Sequence, residues 1–248
     1  MRTWTAILLV GTLFYLQGCV EKGASIAPLG KAEFVPQSPP DSVVESGIRQ
    51  DPQTGGILLQ WYKTAGASAY EIFRSDTTDP NDNPIQFSMA LNVISSTVLN
   101  DTSAVDGLAR TGKRYFYYIV AVSSDGSQGL PSDTISYELI NRPALIAPVN
   151  GSAVQRTSTT FGWVNTSGGY TVIRVEDLTV TPVAPVWVSQ RFQTFAQYPS
   201  VAYDFDSAST QQLIPEHSYR WRIGRFGVDA DGRPYEGSTS TWGTFTVN

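Results

Sequence analysis

The sequence predicts an all-β fold arranged as two consecutive units, and three observations carry that expectation. Val, Ile, Thr, Tyr, Phe and Trp are plentiful, while Gly and Pro stand as punctuation between apolar runs, a composition suited to pleated, half-buried surfaces. The apolar runs are short and alternate or sit between turn residues, and no stretch of ten or more has the spacing of an amphipathic helix. A set of landmarks also occurs twice in the same order. Trp61 precedes Tyr70-Glu71-Ile72-Phe73-Arg74, then Tyr115-Phe116-Tyr117-Tyr118-Ile119, an Asp125-Gly126 turn and the alternating run Thr134 to Leu139. Trp163 precedes Tyr170-Thr171-Val172-Ile173-Arg174, then Tyr219-Arg220-Trp221-Arg222-Ile223, an Asp231-Gly232 turn and the run Thr241 to Val247. The Trp-to-Tyr separation is 54 residues in one unit and 56 in the other, so the two units have one plan.

The chain begins with a different kind of segment. Arg2 supplies one positive charge, and Trp4 to Leu16 are then 13 uncharged, mostly apolar residues, the pattern of a secretory signal. That run is too short for a spanning helix, which needs roughly 20 apolar residues. It ends in Leu16-Gln17-Gly18-Cys19, which resembles the lipobox of bacterial lipoproteins: an apolar residue, a small residue, then the required cysteine. The resemblance implies that residues 1–18 are removed after recognition through Leu16 and Gly18. It also implies that Cys19 carries diacylglycerol on sulfur and a further acyl chain on its amine. Several chains, at ~0.8 kcal/mol per buried CH₂, would hold the protein on a membrane permanently. Val20, rather than Asp, after the cysteine favours the outer membrane over the inner one by the same resemblance. Residues 19–38, rich in small residues, Lys and Pro, then read as a flexible tether.

Composition narrows the chemistry. The chain carries a net charge of −5, and loss of Arg2 with the signal moves it to −6, so no basic footprint for nucleic acid is present. Cys19 is the only cysteine and His217 the only histidine. Once Cys19 is lipidated, Ser-His-Asp, Cys-His and histidine-based metal chemistry have almost no material, and no cofactor is implied. Carboxylate pairs capable of glycoside hydrolysis remain, but 22 acids always offer some pair. The expectation is a protein that is not an enzyme.

The repeated pattern resembles tandem fibronectin type III domains, seven-stranded immunoglobulin-like β-sandwiches, over residues 39–138 and 143–248. Ile57-Leu59-Trp61 would be a strand with one face in the core, and Tyr70 and Ile72 would point inward from the next. Leu213-Ile214-Pro215-Glu216-His217-Ser218-Tyr219 resembles the family's turn into the sixth strand, where the tyrosine ring packs in the core and its hydroxyl bonds backbone upstream. Leu108 to Tyr115 departs from that turn by one extra residue and a missing proline. Pro143 to Gly151 resembles the opening strand and turn of the second domain. Between Thr179 and Ala202, Pro182, Pro185 and Pro199 confine strands to sheet edges.

Candidate binding residues follow from that frame. With Tyr115, Tyr117 and Ile119 facing inward, Phe116, Tyr118 and Val120 face out, joined by Phe73 on the neighbouring strand. An outward aromatic patch of this kind suits a protein partner in the envelope or an internal cover. The matching outward positions in the second unit are Arg220 and Arg222, with Ile173 beside them. Trp187, between Val186 and Val188 and followed by Phe192 and Phe195, is the candidate for stacking on a sugar ring, but its strand-forming Val neighbours make a core or edge-strand position the stronger reading. Asp79-Pro80-Asn81-Asp82-Asn83 copies the start of a calcium loop but continues with Pro84 where glycine belongs, so a self-satisfied turn is the stronger reading and no metal is assigned. The functional expectation is an envelope lipoprotein acting as a non-catalytic binding or spacer module, with carbohydrate binding as the alternative.

Overall fold

The computed structural model describes residues 29–94, 103–165 and 169–248. In the first half the strands are β1 (Arg49–Gln50), β2 (Ile57–Gln60), β3 (Ala69–Ser75), β4 (Thr77–Thr78), β5 (Pro84–Ile85), β6 (Ser88–Ile94), β7 (Ser103–Asp106), β8 (Arg114–Val122) and β9 (Ile135–Leu139). In the second they are β10 (Ala144–Ala147), β11 (Ser152–Val154), β12 (Thr160–Val164), β13 (Tyr170–Asp177), β14 (Ala184–Val188), β15 (Phe192–Gln193), β16 (Ser200–Ala202), β17 (Ser218–Val228), β18 (Pro234–Thr239) and β19 (Gly243–Val247). A single turn of 3-10 helix covers Arg156–Ser158.

Each half is two packed layers, three strands against four in the first module and three against a larger layer in the second. The first module sets β1-β2-β7 against β6-β3-β8-β9, and the β4–β5 pair forms a separate ribbon. The second sets β10-β12-β16 against a layer in which β13 lies between the edge strands β14 and β15 and the long strand β17. On its other side β17 pairs with β18 and then β19. This layering, present twice, makes the chain two tandem immunoglobulin-like sandwiches of the fibronectin type III kind.

Strand alternation fills the two cores. Ile57, Leu59 and Trp61 are fully buried, as are Tyr70 and Ile72 opposite them and Tyr117 and Ile119 on β8. Trp61 meets Tyr70 edge-on at 5.3 Å. The second core stacks Phe161, Trp163, Ile173, Val175, Trp221 and Ile223, with Phe161 edge-on to Trp221 at 4.8 Å. A partly buried ion pair ties the layers of the first module together. Arg74 donates to both carboxylate oxygens of Asp106 at 3.0 and 2.7 Å, and the Tyr117 hydroxyl donates to the same group at 2.9 Å. Burial first, and then the Asp106 charge, push the Tyr117 hydroxyl far above its ordinary pKa.

The expected tyrosine corner is present in both modules. The Tyr219 hydroxyl accepts from Ile214 N–H at 2.9 Å, and the Tyr115 hydroxyl accepts from Arg110 N–H at 3.0 Å. Each spans five residues, so the extra residue before Tyr115 leaves the corner intact. The two Asp-Gly turns also match. Gly126 N–H bonds Ser123 O and Gly232 N–H bonds Asp229 O, both at 3.0 Å. Both glycines take the positive φ (85° and 78°) that a side chain resists. Pro185 stands in β14, which pairs only with β13 among the described strands, an edge position where a proline is tolerated.

Two expectations are corrected here. The tether expected to run to residue 38 ends sooner, because from Leu29 the chain is built into the first sandwich. Ala32 is fully buried, Phe34 bridges Trp61, and Val35 N–H and Tyr62 N–H complete bonds to Gln60 O and Glu33 O at 2.9 Å. Small and apolar residues there fill a core edge rather than a linker. Second, Ile173 does not accompany Arg220 and Arg222 on the outer face. It is fully buried, and Val172 and Arg174 take the outer positions. Tyr170 is correspondingly outside, stacked on Phe226 at 6.4 Å, and so is not the counterpart of buried Tyr70. With a side-chain period of two, a one-residue offset between the repeats exchanges every inward and outward position.

Removing one corner hydroxyl strands a backbone donor while the ring stays packed. Tyr219→Phe and Tyr115→Phe are each expected to lower stability by about 1–3 kcal/mol. Tyr62→Phe, at a tyrosine 53% exposed, should stay within about 0.5 kcal/mol; urea unfolding of the three variants checks both.

Candidate functional site at the domain junction

Only Ile140 to Pro143 separate the last strand of one sandwich from the first strand of the next. Backbone hydrogen bonding makes the join. β9 and β18 pair in parallel, Glu138 opposite Glu236 and Leu139 opposite Gly237, and Ile140 N–H adds a bond to Gly237 O at 3.3 Å. The larger layers of the two modules thereby become one continuous sheet. Gly237 is required at the crossing: a Cβ there would strike the Tyr137 hydroxyl and come within 3.0 Å of Arg225 O. Burial, then the Glu138 charge abreast of it, raise the Glu236 pKa.

Side chains staple the same seam. Arg142 donates to Thr239 O at 2.9 Å and to Pro52 O at 2.6 Å, one contact in each module. The Gln50 side-chain oxygen accepts from the Ser238 hydroxyl at 3.1 Å and from Thr239 N–H at 2.5 Å. Residues 38–47 form an arm of the first module that lies across the outer face of β13 and β17. Arg174 donates to Val43 O at 2.9 Å and Ser42 O at 2.6 Å, Arg222 pairs with Glu45, and Arg191 approaches Asp41 at 3.9 Å.

The arm and the sheet line a half-open cavity of about 70 Å³. Arg174 and Arg222 stand directly opposite each other in the β13–β17 ladder, a like-charge pairing that ordinarily destabilises a sheet. Two residues further along, Glu176 faces Arg220, the complementary arrangement, bonded at 2.7 Å. Arg222 and Arg220 also lie over the Trp242 ring, at 4.6 and 4.2 Å. Arg174 and Arg222 are 5% and 6% exposed, and Arg49 reaches the cavity from β1, bonded to Gly47 O and the Gln60 side-chain oxygen. Burial lowers the pKa of Arg49 and of Arg174, Glu45 opposes that shift, and the Arg222 charge adds to it. Glu45 itself feels burial as an upward push. Arg222 and Arg174 outweigh it and hold the carboxyl below its ordinary 4.5.

The residues singled out in the sequence fall elsewhere. Leu16, Gly18 and Cys19 lie outside the described residues. Phe73 and Tyr118 stack at 4.8 Å with Phe87 edge-on to Tyr118 at 4.8 Å, and all three line a shallow groove with Val120. Phe116 and Val120 are buried rather than open, at 9% and 7% exposure. The returning segment accounts for Val120: Gly129 N–H and Ser132 N–H bond Ala121 O and Ile119 O, which draws the chain back along β8. Trp187 is not a sugar platform. It is 1% exposed, hemmed by Phe161, Tyr203 and Phe205, and its indole N–H donates to Asp206 at 2.9 Å. Phe192 packs edge-on to Phe205 at 5.0 Å, while Phe195 is exposed. His217 bonds buried Asp177 at 2.8 Å. The Asp79 carboxylate accepts Asn81 N–H and Asn83 N–H, each at 2.9 Å, so the loop consumes its own oxygens. Among the described residues no cluster of three His, Cys, Asp or Glu could hold a metal, and no helix is long and apolar enough to cross a membrane.

No protein-family model matches the chain, and no curated protein does. Among solved structures it is similar to an Fn3-like protein from Clostridium thermocellum, at 25% identity over 36% of this chain and 82% of that one, with a TM-score of 0.29. It is also similar to a two-domain fibronectin type III segment of chicken tenascin, at 11% identity over 89% of this chain and 99% of that one, TM-score 0.29. A third is pectate lyase PelI from Erwinia chrysanthemi, at 15% identity over 47% of this chain and 33% of that one, TM-score 0.27.

The low carboxyl pKa of Glu45 fixes the sign of a pH effect. A depressed acid contributes stability that is full above its unfolded value and is lost as pH falls through the folded one. Glu45→Gln should therefore cost about 1–3 kcal/mol at pH 7. The gap to the parent should close as pH drops below 4.5, the ordinary value of that carboxyl. Thermal unfolding of both chains between pH 3 and 7 measures it, and the difference between them removes the opposite contribution of Glu236.

Proposed function

We propose that the chain is a non-catalytic envelope lipoprotein: a stiff two-module spacer and binding protein, held by lipid on Cys19 in a bacterial outer membrane, on its surface or its periplasmic face. The observation that carries the spacer reading is the continuous sheet through β9 and β18. Two sandwiches joined only by a linker would hinge freely, whereas a shared ladder, Arg142 and the 38–47 arm restrict that motion. The lipobox-like Leu16-Gln17-Gly18-Cys19 supports the anchor. Attachment at Cys19 sets the first module nearer the bilayer, with the second displayed beyond it. The half-open Phe73–Phe87–Tyr118 groove on the first module is the surface we assign to a protein partner in the envelope. The carbohydrate alternative loses its platform with Trp187 in the core.

Expression of the full chain in a bacterium with an outer membrane, followed by mass spectrometry of its amino terminus, tests the anchor. An acylated Cys19 as first residue is expected, and Cys19→Ala should move the protein to the soluble fraction. A chain that keeps residues 1–18 with a bare thiol rules the anchor out. For the groove, Phe73→Ser with Tyr118→Ser should abolish site-specific crosslinking from Met89 to an envelope protein without moving the melting temperature by more than a few degrees; undiminished crosslinking removes that assignment.

A further inference from the structure

The junction cavity has a charge imbalance that the fold does not resolve. Among the described residues lining it, Glu45 is the one carboxylate, set against Arg49, Arg174 and Arg222. The nearest other acids are committed elsewhere. Glu176 is bonded to Arg220, the Asp51 carboxylate accepts from Thr54 N–H at 2.8 Å and from its hydroxyl at 2.6 Å, and Asp41 lies toward Arg191. Arg174 and Arg222 are almost wholly buried and directly opposed across the ladder, where one glutamate, itself about a third exposed, must serve both. Buried cations are normally matched by an anion or by neutral packing. Here neither is complete, and an open volume lies between them.

We propose that this cavity is a binding site for a small tetrahedral oxyanion, phosphate or sulfate, taken up between the two modules. Three guanidiniums line the space, Arg174 and Arg222 side by side on the outer face of β13 and β17 and Arg49 from β1, and guanidinium forks match phosphate oxygens in pairs. A volume of about 70 Å³ holds several waters or one such ion. Glu45 occupies part of the positive field as an internal competitor, so the bound ion shares Arg222 and Arg174 with it. Because the arm belongs to the first module and β13 and β17 to the second, occupancy locks the modules together. The site lies wholly within the folded residues and does not depend on lipid at Cys19.

The test uses the full chain in a non-ionic detergent, with sodium phosphate titrated at constant ionic strength against sodium gluconate, whose anion is too large for the cavity. Thermal unfolding and the ³¹P linewidth are read together. Phosphate should raise the melting temperature saturably by roughly 3 °C or more, and the phosphorus signal should broaden. Glu45→Gln, less stable without ligand, should bind phosphate roughly tenfold more tightly because the competitor is gone, and phosphate should restore its melting temperature. Arg49→Gln, on a side chain outside the buried pair, should abolish both responses while the chain still unfolds cooperatively. Sulfate should act as phosphate does. A flat titration in both the parent and Glu45→Gln, or an equal response in Arg49→Gln, overturns the proposal.

Discussion

Backbone groups at the edge of a sheet demand partners, and in this protein two such edges answer each other. The last strand of the first sandwich, β9, and strand β18 of the second would each leave a row of N–H and C=O groups open. β9 and β18 satisfy part of both rows at once. The short linker, the glycine at the crossing, the Arg142 staple and the overlying arm make sense as consequences of holding those strands in register. Without the ladder, none of these contacts would have a fixed geometry to serve.

The inner faces of the modules are alike, and the outer faces are not. Trp61 and Trp163, with Tyr115 and Tyr219, do the same work in each core, because a sandwich of this size admits little variation there. Outside, the first module shows stacked aromatics around Tyr118, while the second shows arginines. The difference follows from what covers each face. The arm offers carbonyl oxygens and Glu45, which guanidiniums can bond and aromatic rings cannot. A polar cover selects a polar face.

Much of the fold was legible because it rests on period-two alternation and on landmarks that repeat. The buried tryptophans, the tyrosine corners and the Asp-Gly turns all stand where the pattern places them. The reading failed where one residue of offset mattered, since Tyr170 resembles Tyr70 in spacing but sits one place out of phase and so faces away from the core. At Trp187 the core position that its Val neighbours favoured is the one found, although its partner Asp206, 19 residues distant, left no local trace. The junction was illegible for a different reason. Glu45, Arg49, Arg174 and Arg222 are scattered along the chain and meet only because the modules dock. The one local hint was two arginines alternating on a strand with apolar inward neighbours.

The arm has a consequence for anyone dividing the molecule. Residues 38–47 travel with the first sandwich in sequence but complete the second in space. Expressed alone, the second sandwich would present bare guanidiniums and an uncovered strand edge, making it less soluble and readier to recruit a foreign strand than the same fold in the intact chain. The natural unit of this protein is the pair.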